Sequence, residues 1–314
     1  MEIIKGIESL KRPFKNPVVT LGNFDGVHLG HRRIFTRVKE EALRFHGEGV
    51  VITFEPHPLK VLAPKKFLPL LTPFRKKMRL IEESGIEIVL CIEFSFTFSE
   101  TSPAEFIKSI LVEKIGVKKV IIGYNYHFGK GQTGDAQTLK DTGKSLGFEV
   151  EVMEPLRVGE TIVSSSKIRT LIQGGEVEEA SKLLGRDYPI IGKVVEGAKR
   201  GQTLGFPTAN LGISDELYPK TGVYAVEVIW HQQHFNGLAN IGSNPTFSTQ
   251  TGKREERFSL EVHILNFNRE IYGKEIEVRF KKRIRDELRF ESPSLLVEQI
   301  KKDIRYASEN VFRT

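Results

Sequence analysis

The sequence predicts two domains in series: a Rossmann-like α/β domain on a parallel sheet, then an antiparallel β-barrel with a C-terminal helix. Three observations carry this. The first half alternates apolar strands with helical periodicity; beyond Gly185 five strands follow one another without helices; and 314 residues suffice for two cores of ordinary size.

In order, residues 18–21, 50–54, 86–94, 117–122 and 148–153 form continuous apolar runs, the pattern of strands buried on both faces. Between them, residues 31–46, 73–84, 102–115 and 135–146 carry helical spacing, and Ser102-Pro103 supplies an N-cap with proline at the first turn. Such sheets bind ligands beyond the carboxyl ends of their strands. In the second half, residues 188–196, 222–230, 234–241, 257–267 and 275–281 read as strands, with 230–235 as a hairpin connection. Closure into a barrel removes their edges. Ser292 caps the last helix, Pro293 starts it, and Leu295, Leu296, Ile300 and Ile304 form its expected apolar face. The boundary is expected near residue 185, giving domains 1–185 and 186–314.

Composition narrows the function classes. Hydrophobic residues at 39% and charged residues at 28% argue against long disorder. The longest apolar runs, such as the one from Glu87 to Glu93, are strand-sized and closed by charges, so no membrane span is expected. The N-terminus carries acids and no apolar segment of signal-peptide type, and the expected location is the cytoplasm. Cys91, the single cysteine, sits in an apolar run and reads as a buried small hydrophobe. A net charge of +7 suits a phosphate-rich partner, whether polynucleotide or free nucleotide.

The strongest chemical signal is residues 18–31, where a strand runs into a turn punctuated by Gly22, Gly26 and Gly30 that delivers His28 and His31 to the start of a helix. Free N–H groups and the dipole there favour anions, and two imidazoles can donate to a phosphoryl group during displacement. A His-x-x-His pair can also bind zinc, but zinc wants further Cys or His ligands, and only His46 and His57 are close in sequence. Gly123-Tyr-Asn-Tyr-His-Phe-Gly129 follows the fourth strand, so Asn125 falls at the same end of the sheet. Ser164-Ser-Ser-Lys-Ile-Arg169 sets hydroxyls at a helix start with cations behind them, suited to phosphate or to a plain N-cap. Gly129-Lys-Gly-Gln-Thr-Gly134 satisfies the dinucleotide fingerprint, yet bulky residues 124–128 separate it from the strand end where those glycines belong.

In the second half, the segment from Gly197 to Asn210 carries glycines, two cations and then Thr208 and Asn210; it suits a phosphate loop that is not of the Walker type, or a glycine-rich barrel corner. Strand alternation turns Leu260, Val262 and Ile264 to one face and Glu261 with His263 to the other.

Four motifs of the first half, namely residues 22–31, Thr53-Phe-Glu-Pro-His-Pro58, 123–129 and 164–169, resemble in order those of the bacterial bifunctional riboflavin kinase/FAD synthetase family. Gly205-Phe-Pro-Thr-Ala-Asn210, Gly222-Val-Tyr224, residues 240–247 and Glu261-Val-His-Ile-Leu265 resemble its kinase module, so the likeness covers nearly the whole chain. One departure is Asn125 with Tyr126, where the family carries an acid and phenylalanine.

The resemblance implies an N-terminal nucleotidyltransferase in which the FMN phosphate attacks the α-phosphorus of ATP. His28 and His31 would stabilise phosphate charge, Ser165 and Arg169 would hold the triphosphate, and Gly22, Phe24, Asp25, Gly26 and Gly30 would bind ATP with them. Asn125 would contact flavin. In the barrel, Gly197, Gly205, Thr208 and Asn210 would bind ATP, Thr208 and Asn210 would ligate Mg²⁺, and Glu261 would take the proton from the riboflavin 5′-hydroxyl. Arg285 and Phe290 are the expected isoalloxazine contacts. The implied partners are ATP, riboflavin and FMN, with neither nucleic acid nor membrane, and no oligomeric state follows. A different adenylyl- or cytidylyltransferase with an unrelated β domain would lack the Thr208, Asn210 and Glu261 set. An RNA-binding module would be expected to carry an aromatic Lys/Arg-Gly-Phe signature, which is absent, and residues 281–285 form only a local basic cluster.

Overall fold

A computed structural model describes the chain except residues 66–68, 198–199, 213–215, 248–253 and 313–314, and except the side chains of residues 200, 202, 243–247 and 254–257. It divides into two compact units, Met1–Ser165 and Ser166–Thr314.

The first unit is built on six parallel strands: β1 (Glu2–Lys5), β2 (Val18–Leu21), β3 (Gly49–Glu55), β4 (Ile88–Glu93), β5 (Lys119–Gly123) and β6 (Glu149–Met153). Their spatial order is β1-β4-β3-β2-β5-β6. Alternation along each strand divides the core in two. Val19, Leu21, Val50, Ile52, Val120 and Ile122 pack on one face with Ile107, Leu111 and Phe128. Val18, Val51, Val89 and Ile121 pack on the other against Phe35, Val38, Met78 and Ile81. The helices are thus split over both faces, as a parallel sheet requires. They include Leu29–Arg44, Phe74–Glu83, a π-helical stretch Phe106–Ile115 and Ala136–Leu146. Ser102 accepts from Glu105 N and Pro103 opens the first turn, as expected. Cys91 is buried at 5% exposure.

The chain moves outward from β2 through β3 to β4, then crosses back to place β5 on the other side of β2. The order therefore reverses between β2 and β5, and the crevice beyond their carboxyl ends is the switch point where such sheets take ligands. A two-stranded hairpin, β7 (Arg157–Val158) with β8 (Thr161–Ile162), follows this sheet.

In the second unit, β9 (Tyr188–Val195), β10 (Ala209–Leu211), β11 (Gly222–Trp230), β12 (Gln233–Phe247), β13 (Arg254–Ile264) and β14 (Glu275–Arg285) close into an antiparallel barrel in the order β10-β13-β12-β11-β14-β9. Tyr188, Tyr224 and Phe280 fill its interior without measurable exposure beyond 1%. His231 (φ +47°) and Gln232 (φ +62°) form the two-residue β11–β12 turn, the left-handed pair that matches strand twist. Helices Ser165–Gly174 and Val177–Leu184 lie in this unit, and Lys220 N donates to Ile172 O across 3.2 Å.

The C-terminal helix, Pro293–Asn310, begins as expected, with Ser292 accepting from Leu295 N. Of its expected face, Ile304 packs against the barrel beside Ala307, and Leu296 and Ile300 are half-buried, but Leu295 is not part of it. Leu295 is 47% exposed, and the fully buried positions are Asp303 and Ala307. An ion pair accounts for the buried acid: Arg285 clasps Asp303 through contacts of 2.8–3.1 Å, so a carboxylate sits where an apolar side chain would otherwise face the barrel.

Candidate active sites

The turn after β2 adopts backbone that side chains resist. Phe24 (φ +50°), Gly26 (φ +87°) and Val27 (φ +39°) are left-handed, a cost of about 1–3 kcal/mol per non-glycine residue that persists only where surroundings enforce it. Here they do. Asp25 is buried and its carboxylate accepts from Leu71 N (3.1 Å), Thr72 N (2.9 Å) and Thr72 Oγ1 (3.0 Å). Thr72 Oγ1 also accepts from Gly26 N at 2.9 Å, and Ser165 Oγ donates to Asp25 O at 2.8 Å. Asp25 and Ser165 thus hold the turn's shape, a role the sequence reading did not give them. At Gly22, a Cβ would approach the Phe24 ring to 2.9 Å, which accounts for glycine there.

His28 caps the helix Leu29–Arg44: its Nδ1 accepts from His31 N at 3.3 Å. An accepting Nδ1 leaves the ring proton on Nε2, so a donor is fixed at the helix N-terminus. The His31 ring stacks on that of His28 with centroids 3.5 Å apart and 18° between planes, and Phe24 meets it edge-on at 5.2 Å. Gly30 makes room for this stack, since a Cβ there would lie 3.1 Å from His28 Cε1.

From β5, the neighbouring strand, the chain turns through Tyr124, and Asn125 is exposed at the same sheet end. Phe128 and Gly134 exchange backbone hydrogen bonds of 2.9 and 3.0 Å, closing Gly129–Gly134 on itself away from the strand end. That loop is not a dinucleotide turn. Arg169 lies one turn beyond Ser165 on the helix Ser165–Gly174.

In the barrel, Glu261 is opposite Asn210 on β10 and opposite Asn240 on β12, so the three share one row on the outer face. Leu260, Val262 and Ile264 point inward and are buried. Among the described residues Glu261 makes no hydrogen bond or ion pair, so its carboxylate is uncommitted. Alternation puts Thr208 on the side of Asn210. The strap before β10 is held by His263, whose Nδ1 donates to Pro207 O at 2.8 Å and whose ring meets Phe206 edge-on at 5.5 Å. Gly197 abuts the Asn210 amide so closely that any Cβ would overlap it, and Gly205 (φ +83°) makes a left-handed turn. Residues 198–199, within this loop, lie outside the described residues. Arg285 is engaged by Asp303 and Asp286 O, and Phe290 is half-buried five residues on.

One set of polar groups thus lies at a sheet switch point and another on a barrel face, and comparison with known proteins divides the chain in the same way. Residues 11–167 fit the FAD synthetase family model and residues 184–311 the riboflavin kinase model. The chain belongs to the bifunctional riboflavin kinase/FMN adenylyltransferase family. Proteins so named are 39% identical over 306 residues in Buchnera aphidicola subsp. Schizaphis graminum, covering 97% of both chains. In Escherichia coli (strain K12) the relative is 37% identical over 311 residues, covering 98% of this chain and 97% of its own. In Bacillus subtilis (strain 168) it is 39% identical over 307 residues and 95% of both. A solved structure described as a macrolide-efflux protein from Streptococcus pneumoniae superposes with a TM-score of 0.87 at 33% identity over 97% of both chains. Family and fold therefore agree along the whole length. No helix among the described residues is long and apolar enough to cross a membrane.

Proposed function

We propose that the strained turn of the first unit adenylylates FMN and that the Glu261 face of the barrel phosphorylates riboflavin. The chain is a bifunctional enzyme of flavin-cofactor synthesis: it transfers the γ-phosphoryl group of ATP to riboflavin, giving FMN, and then AMP from ATP to FMN, giving FAD and pyrophosphate. The observation that carries the site assignment is the placing of the His28 turn at the β2/β5 switch point.

On this reading the FMN phosphate attacks the α-phosphorus in line. The monoester is ionised at neutral pH, its second pKa being about 6, so the step needs no base. His28 Nε2–H and the helix N-terminus hold charge that grows on the phosphates, His31 supports the His28 ring, and Arg169 adds a cation. Asn125 faces the flavin. For phosphoryl transfer to riboflavin, the alcohol must lose a proton, and Glu261 is the uncommitted carboxylate that takes it. Thr208 and Asn210 offer a hydroxyl and a carboxamide oxygen, hard donors that suit Mg²⁺, which would neutralise ATP phosphate charge. Phe290 offers a ring to the isoalloxazine, and Arg285, held by Asp303, sets the course of residues 285–290.

The functional limits proposed are 1–185 and 186–314, which keep Arg169 with the first activity. The partners are small molecules, with neither nucleic acid nor membrane, and the location is the cytoplasm. The test is His28→Ala with riboflavin, ATP and Mg²⁺, flavins being resolved by chromatography. FMN should accumulate at the normal rate without FAD; undiminished FAD would remove His28 from the site.

A further inference from the structure

Beneath the His28 turn lies a lysine that no part of the reading above uses. Lys77, on the helix Phe74–Glu83, is only 4% exposed. Its Nζ donates to Asn23 O at 3.2 Å and to Thr53 Oγ1 at 3.1 Å, and Thr53 Oγ1 itself donates to Asn23 O at 3.4 Å. Asn23 is the first residue of the turn after Gly22, and Thr53 comes from β3, the strand beside β2.

Burying an ammonium is unfavourable unless a carboxylate compensates it. Among the described residues Lys77 makes no ion pair; its remaining contact is with the Phe74 ring, 5.9 Å away. Burial pushes its pKa below the ordinary lysine range, with the more distant Glu55, Cys91 and Asp25 acting in the opposite sense. A cation kept at this cost, with one donor on the turn and a second on the Thr53 hydroxyl that bonds the same carbonyl, needs a function that methionine would not supply.

We propose that Lys77 is a positioning residue for adenylyl transfer: its ammonium, with Thr53, pins the Asn23 carbonyl and so sets the path by which the turn delivers its N–H groups and His28 to the nucleotide phosphates. Asp25 is fastened from the far side by Leu71 and Thr72, so the segment from 71 to 77 grips the turn at both ends. The carbonyl matters because an unpinned peptide could rotate its oxygen, a partial negative charge, toward the phosphates. This inference rests on the adenylylation site proposed above.

The experiment uses the full chain as Lys77→Met, Thr53→Val, the double variant and His28→Ala, each assayed for FAD formation from FMN and for FMN formation from riboflavin. Lys77→Met should lower kcat of adenylylation about 100-fold, the usual effect of a ~1 Å misplacement, with KM for ATP changed far less. Thr53→Val should lower kcat about tenfold, and the double variant should be no worse than Lys77→Met, because both changes release one carbonyl. Kinase turnover should be unchanged throughout. Wild-type kcat in Lys77→Met, or effects that multiply in the double variant, overturn the proposal. Should Lys77→Met fail to fold, as read by its kinase activity and thermal unfolding, Thr53→Val decides, and full kcat there overturns it. Loss of FAD in His28→Ala with full activity in Lys77→Met refutes this inference alone; full activity in both refutes the site.

Discussion

Replacing Lys119 by methionine should destabilise the first unit by about 3 kcal/mol. Lys119 Nζ lies 2.8 Å from Glu41 Oε2 and 2.7 Å from Glu151 Oε2, with side-chain exposures of 7%, 3% and 26%. Removing one partner of a buried pair costs about 3–5 kcal/mol, since the other charge stays behind. The low end applies here, because Arg37 and Arg44 still reach Glu41 at 2.8 and 2.9 Å. At roughly 2–4 °C per kcal/mol for a unit of this size, the unfolding midpoint should fall by about 6–12 °C in calorimetry of the full chain. The pH dependence has a definite sign. Hydrogen bonding from Lys119 holds Glu41 below its ordinary 4.5, and that from Arg37, then Lys119, does the same for Glu151. Their contribution is therefore complete above pH 4.5 and fades as pH falls through the lowered values. Desolvation opposes the charge on Lys119, but its bonds to Glu151 and Glu41 outweigh this and raise its pKa above 10.5, so its share is lost only on the alkaline side. A midpoint lowered by less than about 2 °C would refute the buried-pair argument.

Two further outcomes separate the active sites. Glu261→Gln keeps the shape and removes the proton acceptor, so riboflavin phosphorylation should fall about 10²–10⁴-fold while adenylylation of supplied FMN continues; a wild-type kinase rate would make Glu261 an ordinary strand residue. Gly197→Ala drives a Cβ into the Asn210 amide, so ATP turnover by the kinase should be lost with the barrel still folded by circular dichroism, while FAD formation from FMN in the first unit continues.

Much of the architecture was legible because it is written locally. Continuous apolar runs marked β2 to β6, and the loss of helical spacing after Gly185 marked the barrel. The elements that escaped are those whose residues carry no such pattern. β1 buries one residue of four at the sheet edge, and β10 has three residues, recognisable only once β9 and β13 flank it. The site divides in the same way. His28 and His31 announced themselves by spacing to a turn and a helix, and Glu261 by alternation with Leu260 and Val262, because those relations span a few residues. Asp25 to Thr72, Lys77 to Asn23 and Arg285 to Asp303 bridge 47, 54 and 18 residues, and nothing in the local sequence of either partner names the other. The last helix shows the same limit: hydropathy picks out Ile304, which packs beside Ala307, but not the buried Asp303, whose charge Arg285 neutralises from 18 residues away. Motifs therefore point to the groups proposed to meet the substrate, while the long-range bonds that hold those groups still, and with them a strained turn at φ +39°, are decided by the fold.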